Sequence, residues 1–506
     1  MAEVLPRLPY PELVLGLVAP IGADIEATVP LFKNYFEQRG YVVEVIKVTK
    51  IFQALSRVIA PKKQLRSTPL FDRYKSHISY GKQLREHFGD NSFLAKTAIY
   101  RILQRRNRTQ NKDDLYQKKV YILQQFKRKE EIELLRQVYG RLFFQISIYS
   151  RRSARIDFLA RLFAHSDNSS DIDSYRPNSE DIVQQDHNEI GSLFGQSIEK
   201  TFHDADLIIN SDIPKPSVAE QVNRFCELLF GSNSISPTKI EYGMLSARSS
   251  ALRSLDLSRQ VGAALFSRKG EIISLGCNEV PKAGGGTYWS DEDIDDRDYK
   301  RNLDANFQRK KEILREIITI IRPKANVDEM FKDKRLADSQ LMDAIEYGRV
   351  VHAEMSAISD AARLGRPTQG GILFTTTFPC HVCAKHIVAA GIARVVFLEP
   401  YPKSLAFDLH SDSITVEGTD RGKYEHYPSV VFEHFYGIAP RRYRDMFPRG
   451  KRKNSEGEFR PYISDPPQPV IDLRIPVYTQ LESIVVRDLL EIFRRSAGDD
   501  VSALIE

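Results

Sequence analysis

Two short segments constrain this 506-residue chain more than any other feature, because they carry the side chains of a metal site. One is His352-Ala353-Glu354, and the other is Pro379-Cys380-His381-Val382-Cys383. One imidazole and two thiolates fill three positions of a tetrahedral Zn²⁺ site and leave the fourth open for water. The carboxyl group of Glu354 is expected to accept the proton of that water. The pattern therefore predicts a catalytic zinc site on the first turns of two helices.

A closed structural zinc site, or a pair of buried thiols, is the alternative interpretation. A closed site has four protein ligands. The chain has four cysteines, and the other two, Cys226 and Cys277, are isolated in sequence. A histidine next to the second segment would have to fold back over its own helical turn to become the fourth ligand. We therefore favour an open site with three ligands, His352, Cys380 and Cys383.

The composition favours a cytoplasmic protein of two or three domains. A length of 506 residues is too great for one ordinary core, and a hydrophobic content of 42% is sufficient for packed cores. The sequence contains no run of 18 apolar residues and does not start with a secretory pattern. Four unpatterned cysteines fit a reducing compartment. We expect no contact with a membrane.

A net charge of +6 is a weak signal over this length, but residues 101–128 are strongly basic. Such a run is either a nucleic-acid or polyphosphate surface or the solvated face of helices. The few aromatic residues in it do not interleave as a base-stacking platform requires. We therefore predict solvated helices there.

The first half of the chain is typical of a parallel α/β domain. An apolar run over residues 12–18 is followed by a glycine turn, a helical pattern over 24–38 and a strand pattern over 41–48. Further strands are predicted at 142–149 and 206–210. The polar residues 165–190 between these two strands are expected to form a mobile loop or lid.

The second half is predicted to be a three-layer α/β/α domain. It shows a helix, a hairpin, the His352 helix, a strand, the Cys380 helix and another strand, interrupted by a polar insertion over 283–350 with one helix near 305–322. We therefore divide the chain into domains at 1–235, 236–440 and 441–506, the last being a C-terminal extension.

Both halves of the sequence resemble known protein families. H-x-E followed by P-C-x-x-C is the signature of zinc nucleobase deaminases. Within residues 241–405, the stretches RSLDLSRQVGAALF, GCNEVP, HAEMSAI and TFPCHVCAKHIVAAGI resemble deoxycytidylate deaminases of the cytidine-deaminase fold. The first 230 residues resemble a degenerate nucleoside-monophosphate-kinase-like P-loop domain. The combination is similar to the bacterial anti-phage deoxycytidine-nucleotide deaminases.

The resemblance implies an activity. The expected reaction converts dCTP, and also dCMP, to deoxyuridine nucleotides with Zn²⁺ and depletes dCTP during infection. It also implies a homo-oligomer, regulated by a nucleotide or inhibitor acting through the N-terminal domain. The alternatives are a housekeeping dCMP deaminase, a polynucleotide cytosine deaminase and a nucleotide sensor with a vestigial site. The acidic stretch Ser290–Asp298 argues against a nucleic-acid substrate, and the intact Glu354 argues against a vestigial site.

The resemblance also implies substrate contacts. The Asn278 side chain is expected to contact the sugar, or else to be an ordinary turn residue. The backbone of Ala353 is expected to bind the base. We expect Phe378 or Tyr401 to pack against the base, although the prolines beside Tyr401 could mean that it only fixes a loop. Mg²⁺ accompanying a triphosphate could bind the acidic stretch, although a solvated loop is favoured there. The basic residues near these positions are candidates for phosphate binding, namely Arg253, Arg259 and Lys282, with Lys403 after Tyr401.

The P-loop-like segment departs from its consensus. Gly16, Gly22, Ala23 and Asp24 are its candidate nucleotide-binding residues, but Ala23 and Asp24 stand where the consensus requires lysine and a hydroxyl residue. Asp24 is expected to cap the following helix and to repel a phosphate. We therefore expect nucleotide sensing or a structural role rather than phosphotransfer.

Overall fold

A computed structural model describes residues 6–108, 116–188, 199–324, 326–337, 339–401, 403–447 and 450–497. The chain forms two compact units. The first unit comprises residues 1–237 and 436–506, and the second comprises residues 238–435. The C-terminal residues, predicted to be a separate extension from residue 441, thus belong to the first unit. None of the helices in the described ranges is long and apolar enough to cross a membrane.

The first unit is built on a parallel sheet, which confirms its prediction as an α/β domain. Its strands lie in the order β5-β4-β1-β3-β2. They are β1 (Leu13–Val18), β2 (Val42–Lys47), β3 (Lys119–Phe126), β4 (Phe143–Tyr149) and β5 (Leu207–Asn210). Every residue of β1 is buried, as expected for the continuous apolar sequence LVLGLV in a parallel strand covered on both faces.

Nine helices from the N-terminal part of this unit are described. They are α1 (Ile25–Gln38), α2 (Phe52–Leu55), α3 (Leu70–Phe88), α4 (Phe93–Asn107), α5 (Lys129–Tyr139), α6 (Arg152–Ser166), α7 (Arg176–Asn188), α8 (Glu199–Phe202) and α9 (Lys215–Leu229). The prediction of a mobile loop over residues 165–190 was wrong for α7. This helix buries Ile182 and Val183 in a cluster with Phe163 of α6, and two apolar residues were too few to reveal a helix in a polar sequence.

The prediction of solvated helices over residues 101–128 was also wrong in part. Helix α4 covers the start of this run, but β3 lies between β1 and β2, and its residues Val120–Leu123 are fully buried. The charged residues on both sides concealed a short apolar run, and its burial between two strands decided its conformation. Arg105 is paired with Glu44 of β2, so part of the basic charge is neutralised within the unit.

The second unit contains a mixed sheet in the order β10-β11-β9-β8-β6-β7. Its strands are β6 (Gly262–Phe266), β7 (Ile272–Cys277), β8 (Ile372–Thr377), β9 (Arg394–Glu399), β10 (Ile414–Val416) and β11 (Val430–His434). Strand β6 is antiparallel to β7 and β8, and the remaining neighbours are parallel. The predicted hairpin is confirmed as β6 and β7, and the strands predicted before and after the Cys380 helix are confirmed as β8 and β9.

The described helices of the second unit are α10 (Lys239–Ala251), α11 (Asp298–Arg301), α12 (Ala305–Ile321), α13 (Val327–Met330), α14 (Lys334–Ala337), α15 (Ala353–Arg363), α16 (His381–Ala389) and α17 (Ala406–His410). The helix predicted near 305–322 is α12. Helices α15 and α16 begin at the two segments that were singled out in the sequence.

Two glycines show that α10 and α15 cover opposite faces of this sheet. A Cβ atom on Gly262 would lie 2.0 Å from the carbonyl oxygen of Ala247 in α10. A Cβ atom on Gly276 would lie 2.1 Å from the carbonyl oxygen of Ala353 in α15. Gly276 is paired with Ala263, the residue after Gly262, and residues adjacent along a strand point to opposite faces. The unit therefore has helix, sheet and helix layers.

The C-terminal residues complete the first unit. Strand β12 (Gly437–Ile438) pairs antiparallel with β5, and it is followed by α18 (Tyr443–Met446) and α19 (Tyr478–Ala497). Arg106 of α4 is 4% exposed and donates hydrogen bonds to Glu482 of α19 and to Glu12. The hydroxyl of Tyr478 also donates to Glu12, at 2.9 Å. This buried network attaches α19 to the rest of the unit.

We predict that Arg106→Met destabilises the first unit by about 3–5 kcal/mol, because Glu12 and Glu482 would remain buried without their cation. Urea denaturation followed by circular dichroism measures this change. Trp289, the only tryptophan, reports the second unit separately through its fluorescence. The control Arg105→Met removes a more exposed ion pair and should cost about 0–1 kcal/mol. Equal effects of the two variants would contradict the prediction.

Candidate functional site

His352, Cys380 and Cys383, the three predicted metal ligands, lie together at the starts of two helices. His352 is the N-cap residue of α15, Cys380 is the N-cap residue of α16, and Cys383 lies in the first turn of α16. The Nδ1 atom of His352 lies 3.2 Å from the Sγ atom of Cys380 and 3.4 Å from that of Cys383. His352 precedes the two cysteines by 28 and 31 positions, and the fold places the three ligand atoms around one point.

The donor set fits Zn²⁺. Tetrahedral zinc with ordinary Zn–N and Zn–S bonds holds a nitrogen and a sulfur ligand roughly 3.5 Å apart. The three ligand atoms lie within 4.8 Å of one another, and no fourth His, Cys, Asp or Glu joins this group in the described part of the chain. A three-ligand site leaves a coordination position open, as catalytic zinc sites do.

Hydrogen bonds at the start of α16 favour the thiolate form of Cys380. The hydrogen bond with the Cys383 side chain, with a further contribution from His352, lowers the pKa of Cys380 to about 4. The backbone N–H of Cys383 also donates to the Cys380 sulfur, at 3.4 Å. The hydrogen bond with Cys380 in turn raises the pKa of His352. A thiolate at this position is the form that ligates a metal.

Glu354 lies beside this group with its carboxylate buried. The residue is 4% exposed, and its Oε2 atom lies 3.4 Å from the sulfur of Cys383. Its Oε1 atom accepts a hydrogen bond from the Thr375 hydroxyl at 3.2 Å. Burial, followed by repulsion from the Cys380 thiolate, raises the pKa of Glu354. A carboxyl group of raised pKa is suited to both taking and giving a proton near neutral pH.

His352, Glu354 and Cys380 line a cavity of about 500 Å³ in the second unit. Of the residues predicted to bind substrate, it is lined by Asn278, Ala353, Phe378, Tyr401, Arg259 and Lys403. Arg253 and Lys282 are not among the residues that line it. Arg253 stacks on Trp289, with its guanidinium carbon 3.3 Å from the ring centroid, and Lys282 pairs with Glu292. Sequence proximity to Asn278 thus did not bring these two cations into the cavity.

The Asn278 side chain is engaged with the chain itself. Its Oδ1 atom accepts from the N–H of Val261 at 2.7 Å, and its Nδ2 atom donates to the carbonyl of Arg259 at 2.8 Å. These bonds hold the segment before β6 against the cavity wall. A second Nδ2 hydrogen is available in principle, so contact with a sugar stays a prediction.

The two aromatic candidates occupy different surroundings. Phe378 packs in edge and tilted contacts against Phe397 and Phe432, with ring centroids 4.9 and 5.5 Å away. The guanidinium of Arg259 lies over Tyr401, with its carbon atom 5.4 Å from the centroid of the tyrosine ring. Both rings line the cavity and present apolar surface to it.

The polar insertion over residues 283–350 supplies part of the cavity wall, which the sequence did not indicate. Its contributions are Asp298, Asp304, Asn306, Phe307, Lys310, Met342, Asp343, Ile345, Gly348 and Val350. Thr375 was also missed, because a threonine in a strand is ordinary until its distance to Glu354 is known. The acidic stretch that was considered for Mg²⁺, and favoured as a solvated loop, is largely engaged by cations of the chain, since Asp295 pairs with Arg297 and Asp298 pairs with Arg349.

In the first unit, the P-loop-like segment is held by contacts within the unit. Asp24 caps α1 by accepting from the N–H of Ala27 at 2.9 Å, as predicted. Gly16 lies inside β1, where the absent side chain leaves room for the ring of Phe143. Ala23 is buried in a small apolar cluster with Ala19 and Ile148.

The glycine loop between β1 and α1 also makes close contacts with other parts of the first unit. Gly22 has a positive φ of 87°, and a Cβ atom there would lie 2.8 Å from Arg155. The carboxylate of Asp186 accepts from the N–H of Ile21 at 2.8 Å, which uses a loop donor. Nucleotide binding by this segment therefore stays a prediction.

Comparisons with known proteins agree with the chemistry of the second unit. Residues 237–399 match the sequence model of the cytidine and deoxycytidylate deaminase zinc-binding region. ComE operon protein 2 of Bacillus subtilis is 43% identical over 53 residues, which are 10% of this chain and 28% of that protein. Deoxycytidylate deaminase of Mus musculus is 27% identical over 158 residues, which are 31% of this chain and 63% of that protein. The deoxycytidylate deaminase of Enterobacteria phage T2 is 38% identical over 73 residues, which are 14% of this chain and 37% of that protein.

These three matches span between 28% and 63% of the length of the relatives. Among solved structures, the dCMP deaminase of cyanophage S-TIM5 has a TM-score of 0.22 at 16% identity and covers 39% of this chain and 99% of its own. A TM-score this low carries no structural argument. The sequence matches support a zinc deaminase domain in the second unit, and the P-loop identity of residues 1–235 stays a prediction.

We predict that Cys380→Ser abolishes stoichiometric zinc binding, because a hydroxyl is a poor replacement for a thiolate ligand. Zinc content after gel filtration, measured by atomic absorption, tests this. The matched control is Cys277→Ser, which changes another buried cysteine of the same unit that is outside the ligand group. Full zinc occupancy in folded Cys380→Ser would refute the assignment.

Proposed function

We propose that this chain is a zinc-dependent hydrolytic deaminase that converts deoxycytidine nucleotides, dCTP and also dCMP, to deoxyuridine nucleotides. The observation that carries the proposal is the buried Glu354 carboxylate beside the ligand group His352, Cys380 and Cys383, at the wall of one cavity. A role in depleting dCTP during phage infection belongs to the same proposal. It rests on the sequence resemblance, as do oligomerisation and regulation through the first unit.

In such a reaction, different residues of the site bind the metal and transfer protons. Zinc, when bound by His352, Cys380 and Cys383, supplies the acidity that makes water a nucleophile at neutral pH. Glu354 takes a proton from the attacking water and delivers it to the ring nitrogen beside the attacked carbon. The same carboxyl group then carries a proton to the departing amine, so that ammonia leaves and uracil remains.

Thr375 is the positioning residue for Glu354 in this scheme. Its hydroxyl is fully buried, and it lies 3.2 Å from Oε1 of Glu354 and 3.0 Å from the carbonyl of Thr377. A hydroxyl has one proton to donate, so it can bond either oxygen. When it bonds Glu354 it fixes one carboxylate oxygen and leaves the other directed to the ligand group.

The polynucleotide alternative has less support from the cavity. Base stacking on aromatic side chains and a cationic groove are typical of single-strand binding. The cavity is lined by four aspartates, Asp256, Asp298, Asp304 and Asp343, against three cations, Arg259, Lys310 and Lys403. A free nucleotide demands fewer backbone phosphate contacts than a strand does.

We predict that Glu354→Gln keeps zinc and lowers kcat by about 10²- to 10⁴-fold, because the amide cannot transfer the proton. Zinc-loaded protein is incubated with dCTP, dCMP, CTP and cytosine-containing single-stranded DNA, and ammonia release and product mass are measured. Near-normal turnover by zinc-replete Glu354→Gln would overturn the mechanism. Wild-type activity on DNA alone would establish the polynucleotide alternative.

We predict that Thr375→Val lowers kcat by up to about tenfold with KM and zinc content unchanged, since one hydrogen bond to Glu354 is lost. Thr375→Ser retains the hydroxyl and should recover most of the rate. Steady-state kinetics of the two variants separate this positioning role from a packing role. If packing were the only role, the serine variant would be at least as impaired as the valine variant.

A further inference from the structure

The cavity contains a buried lysine that the mechanism does not use. Lys310 lies on α12, in the insertion before the His352 segment, and it is 7% exposed. Its Nζ atom donates to the carbonyl oxygen of Met342 at 2.6 Å. Lysine is rarely buried to this extent unless its charge is paired, because desolvating an ammonium is costly.

The other two cations of the cavity have anionic neighbours. Lys403 pairs with Asp343 at 2.5 Å, and Nη1 of Arg259 lies 3.9 Å from a carboxylate oxygen of Glu399. In the described part of the chain, no carboxylate lies within 4.0 Å of the Lys310 ammonium. Its hydrogen bond goes to the neutral carbonyl of Met342 and uses one of three N–H donors.

The carboxylates that line the same cavity are engaged elsewhere. Asp304 caps α12 by accepting from Phe307, and Asp298 pairs with Arg349 at 2.7 Å. Asp256 accepts from the backbone N–H groups of the residues that follow it. Among the described residues the Lys310 ammonium therefore has no carboxylate to pair with, and N–H donors remain for an anion that enters the cavity.

We infer that Lys310 binds the 5′-phosphate group of the nucleotide whose base lies at Glu354. This inference rests on the proposed function and adds a phosphate-binding residue that comes from the insertion. A phosphate oxygen accepts strong charge-assisted hydrogen bonds from an ammonium. An anionic ligand also removes the cost of the unpaired buried charge, so the lysine discriminates nucleotides from nucleosides.

The test compares Lys310→Met with the matched control Lys311→Met in the zinc-loaded full chain. Lys311 is the next residue of α12, with its ammonium 5.3 Å from the ring centroid of Phe331, and it does not line the cavity. We expect Lys310→Met to lower kcat/KM for dCMP and dCTP by about 10- to 100-fold, mainly through KM, and to leave deoxycytidine turnover unchanged. Lys310→Arg should recover part of the loss, and the control should behave as wild type.

A binding measurement makes the result independent of turnover. Calorimetric titration with dUMP and with 2′-deoxyuridine gives the contribution of the phosphate to affinity in each variant. We expect wild type to prefer dUMP, and Lys310→Met to lose most of this preference. Equal weakening for both ligands, or an undiminished preference for dUMP, would overturn the role of Lys310.

The two proposals fail in different ways. A wild-type protein that deaminates none of the cytosine substrates contradicts the proposed function, whatever Lys310 does in the binding experiment. A wild-type deaminase in which Lys310→Met impairs nucleotides and deoxycytidine alike keeps the proposed function and excludes Lys310 as a phosphate ligand.

Discussion

The close contact between α15 and strand β7 is the constraint on which the candidate site depends. Gly276 has no side chain, and a Cβ atom there would meet both the carbonyl of Ala353 and the N–H of Ala357 within 2.5 Å. The first turn of α15 therefore lies directly against the sheet. This places His352 beside the start of α16 and directs Glu354 into the interior, where any larger residue at position 276 would displace both.

Burial at this position decides the chemistry of the side chains. Two helix starts converge here, and hydrogen bonds with the Cys383 and His352 side chains lower the pKa of Cys380 and favour its thiolate. Burial instead raises the pKa of Glu354. Cys380 is thus favoured as a charged thiolate ligand, and the Glu354 carboxyl group is able to exchange protons. The two environments lie within a few ångströms of each other, and they suit metal binding and proton transfer respectively.

Much of the fold could be predicted from hydrophobic patterns, and the failures share one cause. Strand β3 and helix α7 lie in sequences dominated by charged or polar residues, and only contacts with distant elements stabilise them. Arg253 and Lys282 were expected near the substrate because they are close in sequence to Asn278. The chain turns them toward Trp289 and Glu292 instead. Lys310 and Thr375 gave no signal at all, because their significance lies in what faces them.

The sequence by itself predicted the candidate ligand set of one imidazole and two thiolates, with a carboxylate beside it, since these side chains at these spacings are typical of a catalytic zinc site. It also determined the α/β class through its alternation of apolar strands and amphipathic helices. Only the tertiary structure decided which cations line the cavity and that the C-terminal helix α19 belongs to the first unit. Spacing along a chain reports local geometry, whereas the pairing of buried charges such as Arg106 with Glu482 depends on residues hundreds of positions apart.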